Sequence, residues 1–378
     1  MAAPHKDRDR PPPLRLAINA VHAKSGGGVT YLRRMLPLLA AEPGVAVHLL
    51  IHQDQTALFR PLPAGVEVTE FDYPPGFLRT LIWEQLSLPG VAQRLNADVL
   101  FSPANFGPVF ARNHVVLLRN ATSVIRLTRH IKSMVYWTML SLATLASLLT
   151  AKRAIAVSDY AARVLTFGLR RFLAGKISVV FHGTHPVAQI RSANAADGTG
   201  LLAVSDIYIQ KNYHTLVRAF SALHGRRPNL TLTIVGREID ARYANSIRVL
   251  VATLGLTDSV RFLGHVETDK LVELYRTCHV FVFPSTVETF GNPLLEAMAA
   301  GVPIASSNAA AMPEVIGDTG LLFDPDDADD MAQTIERLLD DPGLRVKLGA
   351  AASARSRAFT WEDTARRTLD VLRSAAGH

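Results

Sequence analysis

Two α/β domains, each built on a parallel sheet, are what this chain of 378 residues predicts. Short β-branched runs alternate with helical apolar patterns along its whole length, which is the signature of βα units rather than of a sandwich or a bundle. The alternation breaks between Pro186 and Gly200, where small polar residues follow one another without period. The length suffices for two cores of ordinary size, and 48% of the residues are apolar.

Residues 1–13 are polar, charged and proline-rich, lack the apolar stretch of a secretory signal, and read as a disordered tail. The first domain, 14–187, carries strands near Leu14–Asn19, Val45–His52, Val99–Ser102, His114–Leu118, 154–157 and 177–181. Ser25-Gly26-Gly27-Gly28-Val29-Thr30 follows the first strand and precedes the helical pattern Tyr31, Leu32, Met35, Leu36. Glycines at such a turn let backbone approach a ligand closely, and the Gly-Lys-Ser/Thr of a Walker loop does not follow. The run 134–149 is uncharged and flanked by Arg126, Arg129, His130, Lys132, Lys152 and Arg153. A bilayer crossing needs about 20 residues, so this run reads as a buried helix or as one lying in a membrane interface. The linker is placed at 188–200, and the second domain, 201–358, carries strands near 201–204, 230–235, 260–263, Val280–Phe283, 302–306 and 320–323. Thr360 is placed to cap a final helix, with Asp363 three residues on, in the segment 359–378.

Charge is uneven. Residues 1–187 hold 21 Lys and Arg against 10 Asp and Glu, and the remainder holds 19 against 23. The basic half favours an anionic membrane surface or phosphorylated substrates. No zinc-finger spacing or aromatic-interleaved basic motif supports nucleic acid. The single cysteine, Cys278, excludes an internal disulfide framework, fits a reducing compartment and reads as a core residue.

The segment 283–303 is the most informative in the chain. An apolar strand stops at Pro284, a polar loop carries Glu288, and Asn292-Pro293 opens a helix with Glu296 one turn down. Asn is a good N-cap, Pro suits the first helical position, and the free N–H groups at such an end favour anions. A carboxylate beside a phosphate site accepts bonds from neighbouring sugar or ribose hydroxyls. Lys211 follows the strand near 201–204 and heads the pattern Leu216, Val217, Phe220, where a cation is misplaced unless an anion compensates it.

Glu288, Phe290, Gly291, Pro293, Leu294, Glu296, Ala297, Met298, Ala299, Gly301 and Pro303 stand in register with the donor-site signature of the retaining GT-B glycosyltransferases of family 4, which the chain closely resembles. The resemblance implies two Rossmann-like domains facing a cleft and a C-terminal helix that crosses back to the first. It implies a nucleotide-diphosphate sugar as donor, no metal and no further cofactor. Glu288 with the backbone of Phe290 and Gly291 would hold the sugar, Glu296 the ribose, and Lys211 with the Asn292 helix end the diphosphate. Gly27 and Gly28 match the family's first-domain glycine loop.

Two positions depart from the family pattern. Asp206 stands five residues before Lys211, where an arginine is common, which leaves Arg237 as a candidate substitute. Asn120 stands where many members carry a histidine near the reacting sugar; it and His182, near the interdomain crossover, are the acceptor-side candidates. Asp324-Pro325-Asp326 formally spells a D-x-D metal motif, but its place before a helical pattern reads as capping. The implied activity is sugar transfer to a hydroxyl; the basic first domain points to a lipid-linked or cell-envelope glycan as the acceptor, and to a cytoplasmic protein peripheral to the membrane. Its rivals are a sugar-nucleotide epimerase or hydrolase and a donor-binding scaffold without transfer.

Overall fold

The computed structural model describes residues 12–24, 26–120, 131–184 and 200–377. The expectations for residues 1–11, for Ser25, for Arg126, Arg129 and His130, and for 188–199 lie outside the described residues. Among the described residues, thirteen strands form two parallel sheets. The first contains β1 (Leu14–Asn19), β2 (Val45–His52), β3 (Val66–Phe71), β4 (Val99–Ser102), β5 (His114–Leu118), β6 (Arg153–Ala156) and β7 (Ile177–Val179), in the order β3-β2-β1-β4-β5-β6-β7. The second contains β8 (Gly200–Val204), β9 (Thr231–Val235), β10 (Val260–Gly264), β11 (Val280–Phe283), β12 (Ile304–Ser307) and β13 (Leu321–Phe323), in the order β10-β9-β8-β11-β12-β13.

The central strands β4, β5 and β11 are buried along their whole length, as continuous apolar runs in a sheet covered on both faces should be. Strand β3 is the one that the pattern of apolar runs did not predict. It pairs with β2 from Val47↔Val66 to His52↔Phe71 at the sheet edge, and its glutamates and half-exposed valines resemble a loop more than a core strand. In each sheet the order reverses beside the first strand, between β1 and β4 and between β8 and β11. Open α/β sheets hold their ligands in the crevice beyond the strand ends at such a point.

The two sheets are tied by the last helix, Trp361–Ala376. Thr360 caps it through Oγ1, which accepts from the Asp363 N–H at 3.1 Å. Its buried face, including Leu369, Leu372 and Ala375, joins a core cluster with Leu32, Met35 and Leu36 of the first domain. Thr364 donates to the Phe181 carbonyl at 2.8 Å, and the Thr184 N–H donates to the Phe359 carbonyl at 2.9 Å. A Cβ on Gly183 would lie 2.2 Å from the Trp361 nitrogen, so only glycine allows this crossing. A second seam links the Ser158 hydroxyl to the Thr289 carbonyl (2.6 Å) and the Glu314 carboxylate to the backbone N–H groups of Asp159 and Tyr160 (2.7 and 3.1 Å).

The helix Ile131–Thr150 buries polar residues beside Leu140 and Leu148 and leaves other apolar residues outside. Thr144 and Ser147 are buried, with Ser147 bonded to the Gly107 backbone, whereas Met134, Val135, Leu142 and Leu149 face solvent. The neighbouring helix Phe77–Arg94 exposes Leu78, Ile82 and Leu86. The Phe77 and Tyr136 rings join the two helices at 5.0 Å. Among the described residues no helix is long and apolar enough to cross a membrane.

Candidate active site

The second domain contributes a loop and a helix end. After β11 the chain runs to Gly291, whose φ of +90° occupies the cap position of the helix Asn292–Ala299. The cap is therefore Gly291 and not Asn292. A Cβ at 291 would meet the Phe283 ring at 3.3 Å, and a left-handed backbone there favours glycine. Asn292, released from capping, turns its side chain across the cleft, with Oδ1 3.3 Å from His182 Nδ1. Phe290 and Leu294 are buried, so what they offer a ligand is backbone.

Lys211 does not head a helix either. It ends the single turn Ile209–Lys211, and the helix Tyr213–Arg226 begins after Asn212, which is left-handed at φ 56°. From there its ammonium donates to Glu288 Oε1. The two side chains are only 14% and 17% exposed, so the ion pair is largely shielded from water. Two residues separated by 77 positions thus present one cation and one carboxylate side by side.

Glu296 lies one turn down the helix, mostly buried, and accepts from the Tyr275 hydroxyl at 3.1 Å. Burial pushes its carboxyl up to about 7, and the Tyr275 bond offsets only part of that. Pro293 stands between these residues, its carbonyl accepting from the same Tyr275 hydroxyl at 3.3 Å.

Arg237 is committed elsewhere. Its guanidinium donates to both oxygens of Asp206, at 3.2 and 2.7 Å, and its backbone N–H adds a third bond at 2.9 Å. Burial raises the Asp206 carboxyl, but the Arg237 bonds and the nearby Lys211 charge hold it below its ordinary value. The aspartate that replaces the usual arginine therefore occupies the cation that was the candidate substitute.

The first domain supplies a cation that the sequence reading passed over. Arg119 follows β5, and its guanidinium packs on the start of the helix Gly26–Ala41. A Cβ on Gly28 would lie 2.5 Å from Arg119 Nη2; one on Gly27 would lie 3.8 Å from Nη1 and 3.9 Å from Asn292 Nδ2. The glycines thus let two helix N-termini and a guanidinium approach one point. Burial lowers the Arg119 pKa to about 10, no carboxylate among the described residues pairs with it, and its Nε is buried without a partner. The signal in the sequence was a lone arginine directly after the all-apolar run Val115–Leu118.

His182 is buried against Tyr31, Phe290 and Trp361. Burial and the Arg119 charge lower its pKa to about 4, so the ring is neutral near pH 7. Asn120 sits apart from it, lining a first-domain cavity and held at both N–H and carbonyl by the Asn105 amide (2.8 and 2.6 Å). Asp324 and Asp326 serve the start of the next helix, with the Asp326 N–H donating to Asp324 Oδ1 at 2.9 Å. Among the described residues no group of three His, Cys, Asp or Glu side chains gathers as a metal site.

Two Rossmann-like domains with a crevice at paired switch points and a returning helix define the GT-B class of glycosyltransferase folds. Residues 189–355 match the family described as glycosyl transferases group 1. The chain is similar to the serotype-specific mannosyltransferase WbdA of Escherichia coli, 30% identical over 196 residues, which are 52% of this chain and 24% of that protein. It is 37% identical over 179 residues to a D-inositol 3-phosphate glycosyltransferase of Pseudarthrobacter chlorophenolicus, covering 46% of this chain and 42% of the relative. The chain thus spans less than half the length of these relatives. In fold it resembles a sucrose-phosphate synthase from Thermosynechococcus elongatus (TM-score 0.76, 22% identity, 95% and 98% of the two chains). It likewise resembles Anabaena HepE, solved with UDP and glucose (TM-score 0.76, 18% identity, 96% and 100%).

Proposed function

We propose that this protein is a glycosyltransferase that moves a sugar from a nucleotide-diphosphate donor to a hydroxyl acceptor. The observation that carries the reading is the meeting of two helix N-termini, at Gly27-Gly28 and Asn292, with the guanidinium of Arg119, which has no carboxylate partner among the described residues, and the Lys211–Glu288 pair. Helix N-termini and an uncompensated cation favour a polyanion, and Glu288 and Glu296 are placed for sugar and ribose hydroxyls. The diphosphate displaces Lys211 from Glu288, which frees the carboxylate for the donor sugar. Arg119 supplies the second phosphate cation in place of the arginine absent at 206.

The reaction is read as retaining and metal-independent. The acceptor hydroxyl attacks on the face from which the diphosphate departs, with a phosphate oxygen as base. The protein's part is positioning and charge stabilisation. A lipid-linked or cell-envelope glycan is the acceptor favoured by the apolar face of Met134, Val135, Leu142 and Leu149 beside the Asn120 cavity, and by the O-polysaccharide context that the mannosyltransferase relatives' names suggest. That face, with the basic first domain, suits a peripheral protein on the inner side of the membrane.

The test is a thermal-shift screen against UDP, GDP, ADP and TDP and their sugar conjugates, with and without EDTA, followed by donor turnover with and without glycan acceptors. An EDTA-insensitive shift by one nucleotide family, lost in Glu296→Ala, is expected. A ligand at a hundredfold excess over its Kd stabilises the fold by about 2.7 kcal/mol. No shift from any nucleotide overturns the reading, and donor turnover that no acceptor accelerates replaces transfer with hydrolysis or epimerisation.

A further inference from the structure

We propose that Thr289 is a positioning residue that aims Arg119 from across the cleft, so that the free cation of the first domain is set in place by the donor loop of the second. The inference rests on the donor reading of the cleft and names the residue through which one domain places the other's anion-binding group.

Thr289 stands between Glu288 and Phe290 in the donor loop and is buried. Its hydroxyl donates to the carbonyl of Arg119, 170 positions away on the other domain. Its own carbonyl accepts from the Ser158 hydroxyl at 2.6 Å. Ser158 is fully buried and caps the first-domain helix Asp159–Val164, its oxygen accepting from the Ala161 N–H at 2.9 Å. One residue of the donor loop is therefore bonded to the first domain at two points. On the far side of Arg119, its N–H donates to Oδ1 of the fully buried Asn105 at 2.8 Å. Both polar atoms of the Arg119 backbone are thus taken, one by its own domain and one by Thr289.

The side chain explains why the backbone has to be held. An arginine gives up rotamer freedom when it is ordered, and in the free protein no carboxylate among the described residues offsets that for Arg119. Its Nε is buried without a partner. What orders it is the anchored backbone together with close packing on Gly28, where a Cβ would lie 2.5 Å from Nη2. Misplacing a positioned group by about 1 Å can cost about 10²-fold, so an anchor on the Arg119 carbonyl matters to an anion that the guanidinium binds. Valine at 289 would keep the shape and remove the donor, and serine would keep the donor.

The experiment measures binding of UDP, GDP, ADP, TDP and inorganic pyrophosphate to the full chain by calorimetry, in the wild type, Thr289→Val, Thr289→Ser, Arg119→Met and the double variant Thr289→Val with Arg119→Met. Thr289→Val is expected to weaken whichever anion binds the wild type about fivefold, the scale of one hydrogen bond, and Thr289→Ser to stay within about twofold. In the Arg119→Met background the valine is expected to cost nothing further, because a positioning residue has no effect without the group it places. A residue that only stabilised the fold would carry the same cost in both backgrounds. The proposal is overturned if folded Thr289→Val binds the anion as the wild type does, or if the two single losses multiply in the double variant. Should the valine variant fail to fold, the Arg119 Nε–H signal of the wild type decides. It is expected to be ordered before any ligand is added, and a signal as mobile as that of an unstructured arginine overturns the proposal. Pyrophosphate binding that depends on Thr289, without binding of any nucleotide, would refute the donor reading and leave this role standing, whereas nucleotide binding indifferent to Thr289 does the reverse.

Discussion

The two faces of the cleft handle charge in opposite ways. On the second domain the ionisable side chains are mutually engaged, Lys211 with Glu288, Arg237 with Asp206, and Glu296 with Tyr275. On the first, Arg119 is desolvated with no ion pair among the described residues, and His182 is held neutral. A paired charge is held in place at little net cost and must be pulled from its partner before it helps a ligand. An unpaired buried cation destabilises the free protein and returns that energy when an anion arrives.

The largest effect is expected at the pair that the donor would open under the proposed function. Glu288→Ala should reduce donor turnover about 10²- to 10³-fold, the scale on which loss of one positioned polar group is felt; turnover within threefold of wild type would remove Glu288 from the chemistry. Arg119→Met separates the two faces more sharply. Nucleotide-diphosphate affinity should fall by about 1.5–3 kcal/mol, the worth of hydrogen bonds to a charged group, while the melting temperature of the free protein stays level or rises. Unchanged affinity with a lower melting temperature would make Arg119 a structural residue.

The pH dependence comes next. The proposed ribose contact needs an ionised Glu296, whose carboxyl is pushed up to about 7, so nucleotide affinity should rise as pH increases through about 7 and be flat in Glu296→Gln. The stability of the free protein runs the other way. The folded state keeps Glu296 protonated up to about 7 whereas the unfolded chain ionises it near 4.5, so stability falls as pH rises between these values. Calorimetry of both proteins from pH 5 to 8 checks both signs. The smallest effect is expected at Arg237→Ala, within about threefold in nucleotide affinity, because surface ion pairs contribute about 0–1 kcal/mol. A tenfold loss there would mean that Arg237 leaves Asp206 for the phosphate.

What the sequence disclosed divides along the same line. The donor loop was legible because Glu288, Gly291 and Glu296 are close in the chain, and local spacing reports local geometry. The strands were legible wherever burial on both faces made the run wholly apolar. Strand β3 escaped because its edge position lets Glu67 and Glu70 share it with valines. Arg119 escaped for a different reason. Its meaning lies in Gly28, 91 positions away, and in the lack of a carboxylate partner among the described residues, which no one-dimensional pattern records. The cap at Gly291 shows the limit even of local reading, since residue preference favoured Asn292 and a ring one strand away decided otherwise.

The returning helix has a consequence for the order in which the molecule is made. Leu369, Leu372 and Ala375 complete a core whose other side was translated more than three hundred residues earlier, at Leu32, Met35 and Leu36. While the ribosome is building the second domain, the first exposes the apolar groove that this helix will fill. Chaperone demand during synthesis should therefore track the time between these two segments, and slowing translation within the second domain should lower the yield of a first domain whose own sequence is untouched.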